Sequence, residues 1–459
     1  MFALPGILLL LAFVYVRPQE FLPALQAIPC IALSIALALV GMLVDLRQRR
    51  SRLDTSSLLT MSLVFILWCV IGLAVRNPGA ITNCIVVLGV DLALYVSLAH
   101  GVQTFRGLSI VAGWILLLVL FISAIGVHQG LAPLGCHQID ERNREELVLT
   151  FDGRPCVTVQ DCRVGDVEPG AEYVCEHVGL FHTSTIGGRV RYRGRLNDPN
   201  DLSLAIGIAL PFAFALQERK RTAARTALVV VALGLIGACT IYTASRGGQL
   251  VFLTVIAIYG VRRFGWRGLL FGAIVALPIL ILGGRSGAEA ESSSTERLDC
   301  WYEGMSMVRS YPIVGVGWGQ FVEHHILTAH NSYVLAAAEL GLPGLGLFSA
   351  ILYWSVKGPV QALRRLAHED SPSAATARTW AMALLAMLAG ALVGIFFLSY
   401  CYHPVLWIGL GLTGAFSSAM RAHDPEWRVR FGIRDLLLVM AMDVVLMIVL
   451  YGYTRVAVS

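Results

Sequence analysis

The chain has 459 residues, of which 56% are hydrophobic and 14% charged, where ordinary globular domains carry about 45–50% and about 25%. A soluble enzyme is excluded by that balance, because the apolar residues come in long blocks between short Arg-bearing connections and find their burial in lipid. The net charge of +5 is spread over many loops, and only Lys220 and Lys357 among the 35 basic residues are lysine. The gathered basic patch of a nucleic-acid-binding protein is missing, so no nucleic-acid partner is expected.

Met1 to Val16 opens the chain with an apolar run that lacks a basic n-region and a small-residue cleavage site. It reads as an uncleaved first span rather than a secretion signal. Apolar runs near the ~20 residues needed to cross a bilayer predict spans at 2–16, 29–45, 57–75, 79–99, 107–126, 200–216, 226–243, 248–261, 268–283, 331–355, 378–400, 403–420 and 434–452. The expectation is an all-α polytopic membrane protein of twelve or thirteen transmembrane helices. With the N-terminus inside, 20 of the 35 basic residues fall in cytoplasmic loops, among them Arg47 to Arg52, Arg219 to Arg225, Arg262 to Arg267, Lys357 to Arg378 and Arg421 to Arg434. The short outer connections hold Arg17, Arg76, Arg246 and Arg455, as the positive-inside rule asks.

Two long segments then fall outside, and they divide the chain into N-terminal spans (1–126), a first outer loop (127–199), central spans (200–283), a second outer loop (284–330) and C-terminal spans (331–459). The first loop carries Cys136, Cys156, Cys162 and Cys175 in a polar stretch with strand-like runs at 147–151 and 157–160. In an oxidising compartment four cysteines read as two disulfides stapling a small insertion, with three connectivities open. A zinc site with His137 or His177 is the rival, but spacings of 20, 6 and 13 match no CxxC knuckle. The other six cysteines lie in or beside spans, as small core hydrophobes do. No metal site is assigned; Glu323-His324-His325 has no second ligand cluster beside it.

Arg246, in Ala244-Ser245-Arg246-Gly247-Gly248, stands between two spans with almost no loop. An arginine at membrane depth costs at least ~2.5–3.5 kcal/mol, so it is normally kept for a partner or a substrate anion; the alternative is a side chain snorkelling to the headgroups. The two glycines predict close backbone approach and amide groups left for an anion at the next helix start. Arg297, Trp301 and Gly304 fall at helical spacing and predict an amphipathic outer helix. The Gly315, Gly317 and Gly319 run reads as a flexible outer loop. His330 follows it at the next span, where an imidazole of ordinary pKa about 6.5 suits a general base for a sugar hydroxyl; a packing histidine is the alternative. Glu339 reads as a second proton acceptor or as a carboxylate bonded between helices, and Asp91 and Asp443 as structurally paired. Paired arginines and one base suggest a bound diphosphate beside a hydroxyl nucleophile.

His330-Asn331, nine residues and Gly341-Leu342-Pro343-Gly344 resemble the His-Asn-x9-Gly-x-x-Gly signature of the O-antigen ligase and polysaccharide polymerase superfamily of bacterial membrane glycosyltransferases. Arg193 to Leu202 resembles that family's entry to the central span, Ser245-Arg246-Gly247 its Ser-Arg-Gly turn, and Arg297, Trp301 and Pro312-x-x-Gly315-x-Gly317 its long periplasmic loop. Together these cover about residues 190–350. The resemblance implies a multispan, GT-C-like, inverting and metal-independent glycosyltransferase of the bacterial inner membrane, with no cofactor. It would take glycan from undecaprenyl diphosphate in the periplasm and pass it to a glycan, lipid A core or protein hydroxyl, in surface polysaccharide or lipopolysaccharide biosynthesis. Arg246 and Arg297 would hold the diphosphate, with Asn331, Arg195 and Asn200 as further substrate contacts, and His330 would activate the acceptor. Asp198 and Asn200 also read as helix caps, and Arg17 resembles the family's first outer loop. Ligase and polymerase differ only in the acceptor. A lipid-linked oligosaccharide flippase, which would distribute cations through the depth of its spans, and a membrane protein with a disulfide-stapled sensor loop are the alternatives.

Overall fold

The computed structural model describes every residue except 54–55, 141–147, 165–166, 169, 269–271, 273–287 and 459. The predicted span at 268–283 falls on these and lies outside the described residues. Every other predicted span is helical: α1 (Ala3–Tyr15), a short α2 (Pro23–Gln26), α3 (Cys30–Arg47), α4 (Ser57–Arg76), α5 (Ile81–Gly101), α6 (Phe105–Leu131), α7 (Pro199–Gly207), α8 (Leu210–Arg219), α9 (Ala223–Tyr242), α10 (Arg246–Phe264), α11 (Ala288–Ser310), α12 (Phe321–His324), α13 (Ser332–Arg365), α14 (Pro372–Ile395), α15 (Pro404–His423) and α16 (Ile433–Val458). Among the described residues nine helical stretches are long and apolar enough to cross a membrane, with α1 a shorter apolar helix. The chain is an all-α polytopic membrane protein with a small β insertion.

The span at 200–216 is two pieces, α7 and α8. Pro211, in the first turn of α8, has no amide hydrogen to give the preceding turn, so the helix restarts at Leu210.

The chain forms two compact units. The first comprises residues 1–10, 32–111 and 286–459, the second 11–31 and 112–285. In the first unit α5 and α15 lie against each other along small residues: a Cβ on Gly414 would come within 2.6 Å of Ala99 Cβ, and one on Gly411 within 2.9 Å of Leu98 Cβ. Helices in lipid gain little from apolar burial against each other, so close backbone approach supplies the dispersion contact that holds them.

In the second unit the insertion is a three-stranded antiparallel sheet in the order β2 (Val148–Pro155), β1 (Leu134–Asp140), β3 (Tyr173–His177). Its disulfides are Cys136–Cys162 and Cys156–Cys175. They close a core with Tyr173 that Leu134, Val167 and Ala171 cover, a staple suited to a sheet too small to be held by its own apolar burial. Both bonds consume the thiols a zinc ion would need. The strand expected at 157–160 is a turn instead: Asp161 accepts hydrogen bonds from the amides of Val157 and Thr158 at 2.8 Å each, which bends the chain out of a ladder. The six free cysteines are all buried.

Candidate functional site

In the second unit, Ser245 caps α10 by accepting from the Gly248 amide at 3.1 Å, and Arg246 is the first helical residue, exposed. The cap thus takes one of the amides that sequence reading left for an anion. Gly248 serves packing: a Cβ there would come within 2.1 Å of Ser203 Oγ on α7. The turn before Arg246 is tied to α7 by Arg189, whose Nε donates to Thr243 O at 2.9 Å and whose Nη2 donates to Asn200 Oδ1 at 3.1 Å. Asn200 is therefore engaged by a protein cation. Asp198 caps α7, accepting from the Asn200 amide at 2.6 Å.

Arg195 is exposed on the tight turn Gly194–Leu196. The same turn receives Arg17 from the end of α1. Gly194 has φ +54, and a Cβ there would fall 1.7 Å from Arg17 Nη1, so only glycine admits the guanidinium. Arg17 pairs with Glu20 and Arg193 lies over the Phe21 ring at 5.7 Å. Arg191 is buried, donating from Nε to Ser184 O at 3.1 Å, and burial lowers its guanidinium pKa from the ordinary value, against the pull of Glu176. Arg17, Arg189, Arg193, Arg195 and Arg246 thus gather around the ends of α1, α7, α9 and α10, offset in part by Glu20, Asp198 and Asp201. Sequence reading missed Arg189 and Arg193 as members of this set; their alternation with Gly187, Gly188 and Gly194 in one short stretch was the available signal.

In the first unit the signature helix α13 is broken at Gly341, with φ 70° and ψ −177°, a conformation essentially reserved for glycine. The break frees carbonyls, and their new partners tie two motifs into one structure. Leu342 N, turned away from Ala338 O, donates to Pro312 O at 2.9 Å; Val316 N donates to Ala338 O and Gly317 N to Glu339 O, each at 2.9 Å. Glu339 O would face Pro343 in an unbroken helix, which has no hydrogen to give. Trp68 Nε1 of α4 donates to Leu340 O at 2.8 Å, and Arg76 Nε to Gly315 O at 3.0 Å while its guanidinium lies 4.0 Å from the Tyr311 ring centre. The glycine run is therefore a pinned loop and not the flexible one expected: Gly315 and Gly317 take positive φ where the loop meets the helix break.

Glu339 is 2% exposed and accepts from the Phe321 amide at 3.1 Å, bearing out the reading of a carboxylate bonded between segments. Phe321 in turn packs at Gly304 of α11, where a Cβ would come within 2.4 Å of Val334 and 3.2 Å of Phe321. This contact seats α11 on the start of α13, and α11 carries Arg297, half-buried, one turn before Trp301.

Asn331 caps α13, its Oδ1 accepting from Tyr333 N at 2.9 Å and Val334 N at 3.1 Å, and it is fully buried. Its place is that of a buried helix cap. His330 precedes it with φ 47°, its amide donating to Ser399 Oγ at 3.0 Å. A non-glycine residue in this region is uncommon and is held there by its surroundings. Cys300 Sγ lies 3.8 Å from His325 Nδ1, but burial first, and Asp299 next, push its thiol up to about 11, so this pair lacks the thiolate of a nucleophile.

Arg297, His330 and Asn331 thus share one unit, and Arg195, Asn200 and Arg246 share the other. Residues 230–349 match the family model described as O-Antigen ligase; Arg193 to Leu202 lies before that match. A search of curated proteins finds no match. The matched segment, about a quarter of the chain, holds Arg246, Arg297, His330 and the whole Gly-x-x-Gly break, and over this segment the multispan membrane protein is similar to the O-antigen ligase family.

Proposed function

We propose that the protein is a periplasm-facing glycosyltransferase of the bacterial inner membrane that takes glycan from undecaprenyl diphosphate and joins it to an acceptor hydroxyl. The observation that carries this reading is the pinned signature. His330 is fixed in a strained backbone conformation directly before a buried cap, its amide held by Ser399 Oγ at 3.0 Å. A group placed so rigidly suits proton transfer, which needs geometry first.

In the proposed step His330 accepts the acceptor hydroxyl's proton as that oxygen bonds to the anomeric carbon. The bond from that carbon to the diphosphate breaks on the opposite face, so configuration inverts, and the leaving diphosphate carries away the electron pair. Arg246 and Arg297 are the cations assigned to that charge, and the neighbouring Arg17, Arg193 and Arg195 support an anion-binding region in the second unit. Guanidinium groups stabilise a phosphate leaving group bidentately.

Purified protein given undecaprenyl-diphosphate glycan, beside Arg246→Ala and His330→Ala, tests this. Release of lipid diphosphate by the wild type alone supports it; a ladder of product lengths marks a polymerase and a single adduct on added acceptor a ligase. Glycan that crosses a vesicle bilayer without being consumed overturns it in favour of a flippase.

A further inference from the structure

Arg76 ends α4 beside the loop at 312–317, and Ser57 opens the same helix about 28 Å away at 1.5 Å per residue. At that far end of the first unit a cavity of about 460 Å³ lies between the start of α4, the end of α15 and residues 427–431. Its volume is that of a small-ligand site, and the mechanism above does not use it. Arg421, Arg428 and Arg430 line it with Ser56, Ser57 and Ser417, and among the described residues no acidic side chain does. The arginine distribution reads this end as the cytoplasmic one.

The strap between α15 and α16 is what gathers these cations. Along it Trp427 and Val429 are buried while Arg428 and Arg430 are exposed. An extended segment turns alternate side chains to opposite sides, so burying the first pair sets both arginines on the other side, about 6.6 Å apart at 3.3 Å per residue. Three bonds hold that register: Trp354 Nε1 donates to Val429 O at 3.3 Å, Lys357 Nζ to Arg430 O at 2.9 Å and Trp427 Nε1 to Ser417 Oγ at 3.4 Å. Arg421 joins them from α15, one turn beyond Ser417 on the same face. The carboxylates that flank the strap are engaged by other cations, Asp424 by Arg365 and Asp435 by Lys357, each at 2.6 Å.

Guanidinium forks match the oxygens of a phosphate, and serine hydroxyls donate to the same oxygens. We propose that this cavity binds a phosphate group, carried either by the headgroup of an anionic lipid in that leaflet or by a soluble phosphate compound. The bound group ties the start of α4 to α15 and to the strap. The site is independent of the glycosyltransferase reading, since no part of it touches the residues assigned to transfer.

The test titrates the purified full-length protein in detergent with phosphatidylglycerol, read by native mass spectrometry, and with inorganic pyrophosphate, read by equilibrium dialysis. The wild type is expected to saturate with at least one of the two probes at one per chain. Arg428→Gln combined with Arg430→Gln should weaken that binding by about tenfold or more. Arg221→Gln combined with Arg263→Gln removes the same charge from exposed positions of the second unit and should change it by less than about twofold. Arg421→Gln, on a helix rather than on the strap, should reproduce the loss and serves where the strap variant does not fold. Lipid that pyrophosphate does not displace assigns the site to a headgroup, and pyrophosphate that lipid does not displace assigns it to a soluble phosphate. Mutual displacement shows one seat open to both. No binding of either probe by the wild type, wild-type affinity in the pocket variants, or equal weakening in the second-unit variant overturns the proposal and leaves these arginines as charges that merely fix topology.

Discussion

Asn331 and Arg246 were both drawn from motifs, yet their side chains do different work, and substitution separates them. Asn331 is buried and spends its carbonyl on two amides at the start of α13, so Asn331→Ala is expected to cost about 1–2 kcal/mol of stability and to lower the thermal midpoint together with activity. Asn331→Asp keeps the acceptor and restores much of both. Arg246 is exposed at its helix start, so Arg246→Ala should leave stability within about 0.5 kcal/mol and lower turnover by about 10²–10³-fold. Thermal melts beside transfer rates decide the matter: equal stability loss in both variants would make Arg246 structural. Glu339 gives a third contrast. Glu339→Gln retains an oxygen for the Phe321 amide, whereas Glu339→Ala leaves that buried donor bare at a cost of about 1–3 kcal/mol.

At the level of elements, the break at Gly341 was legible only as a signature. Its letters gave no sign that it pairs with the loop at 312–317, because nothing in a sequence reports which distant amide will meet a freed carbonyl. Gly341→Ala forces a side chain into a backbone region that excludes it, with its Cβ 2.1 Å from Ile313 O. Loss of folded protein in detergent, or a melt lowered by several degrees, is the expected outcome; an unchanged melt would show the break to be dispensable. The insertion has its own test. Burial lowers the His137 pKa from its ordinary value, opposed by the Gly135 carbonyl, Glu176 and Asp152 and assisted by Arg191. The unfolded insertion then binds the proton first, so the stability that His137 contributes is complete above about pH 6.5 and is lost as pH falls toward the folded-state pKa. Protease resistance of the insertion should decline on acidification through that range, and less so in His137→Phe.

At the scale of the molecule, spans were the most legible feature, since lipid demands a length of apolar residues regardless of fold, and all those within the described residues are helical. The disulfide pairing was not legible: four cysteines allow three pairings, and β1 sets Cys136 beside Cys175 although each bonds elsewhere. The sidedness inferred from arginines remains the link between the fold and a periplasmic site, and α13 bears it, since His330 precedes this helix and Arg364 and Arg365 end it. Past the break, Leu342 to Arg365 is 24 residues, about 36 Å at 1.5 Å per residue, ample for one crossing of about 30 Å. The native free cysteines are all buried, so new ones report cleanly. Ile326, 94% exposed before α13, and His368, exposed after it, are the positions to use. In intact spheroplasts an impermeant maleimide should label Ile326→Cys at once and His368→Cys only after permeabilisation. Labelling of both from one side would mean that the broken helix turns back within the bilayer, and the proposed placing of His330 on the periplasmic face would fail.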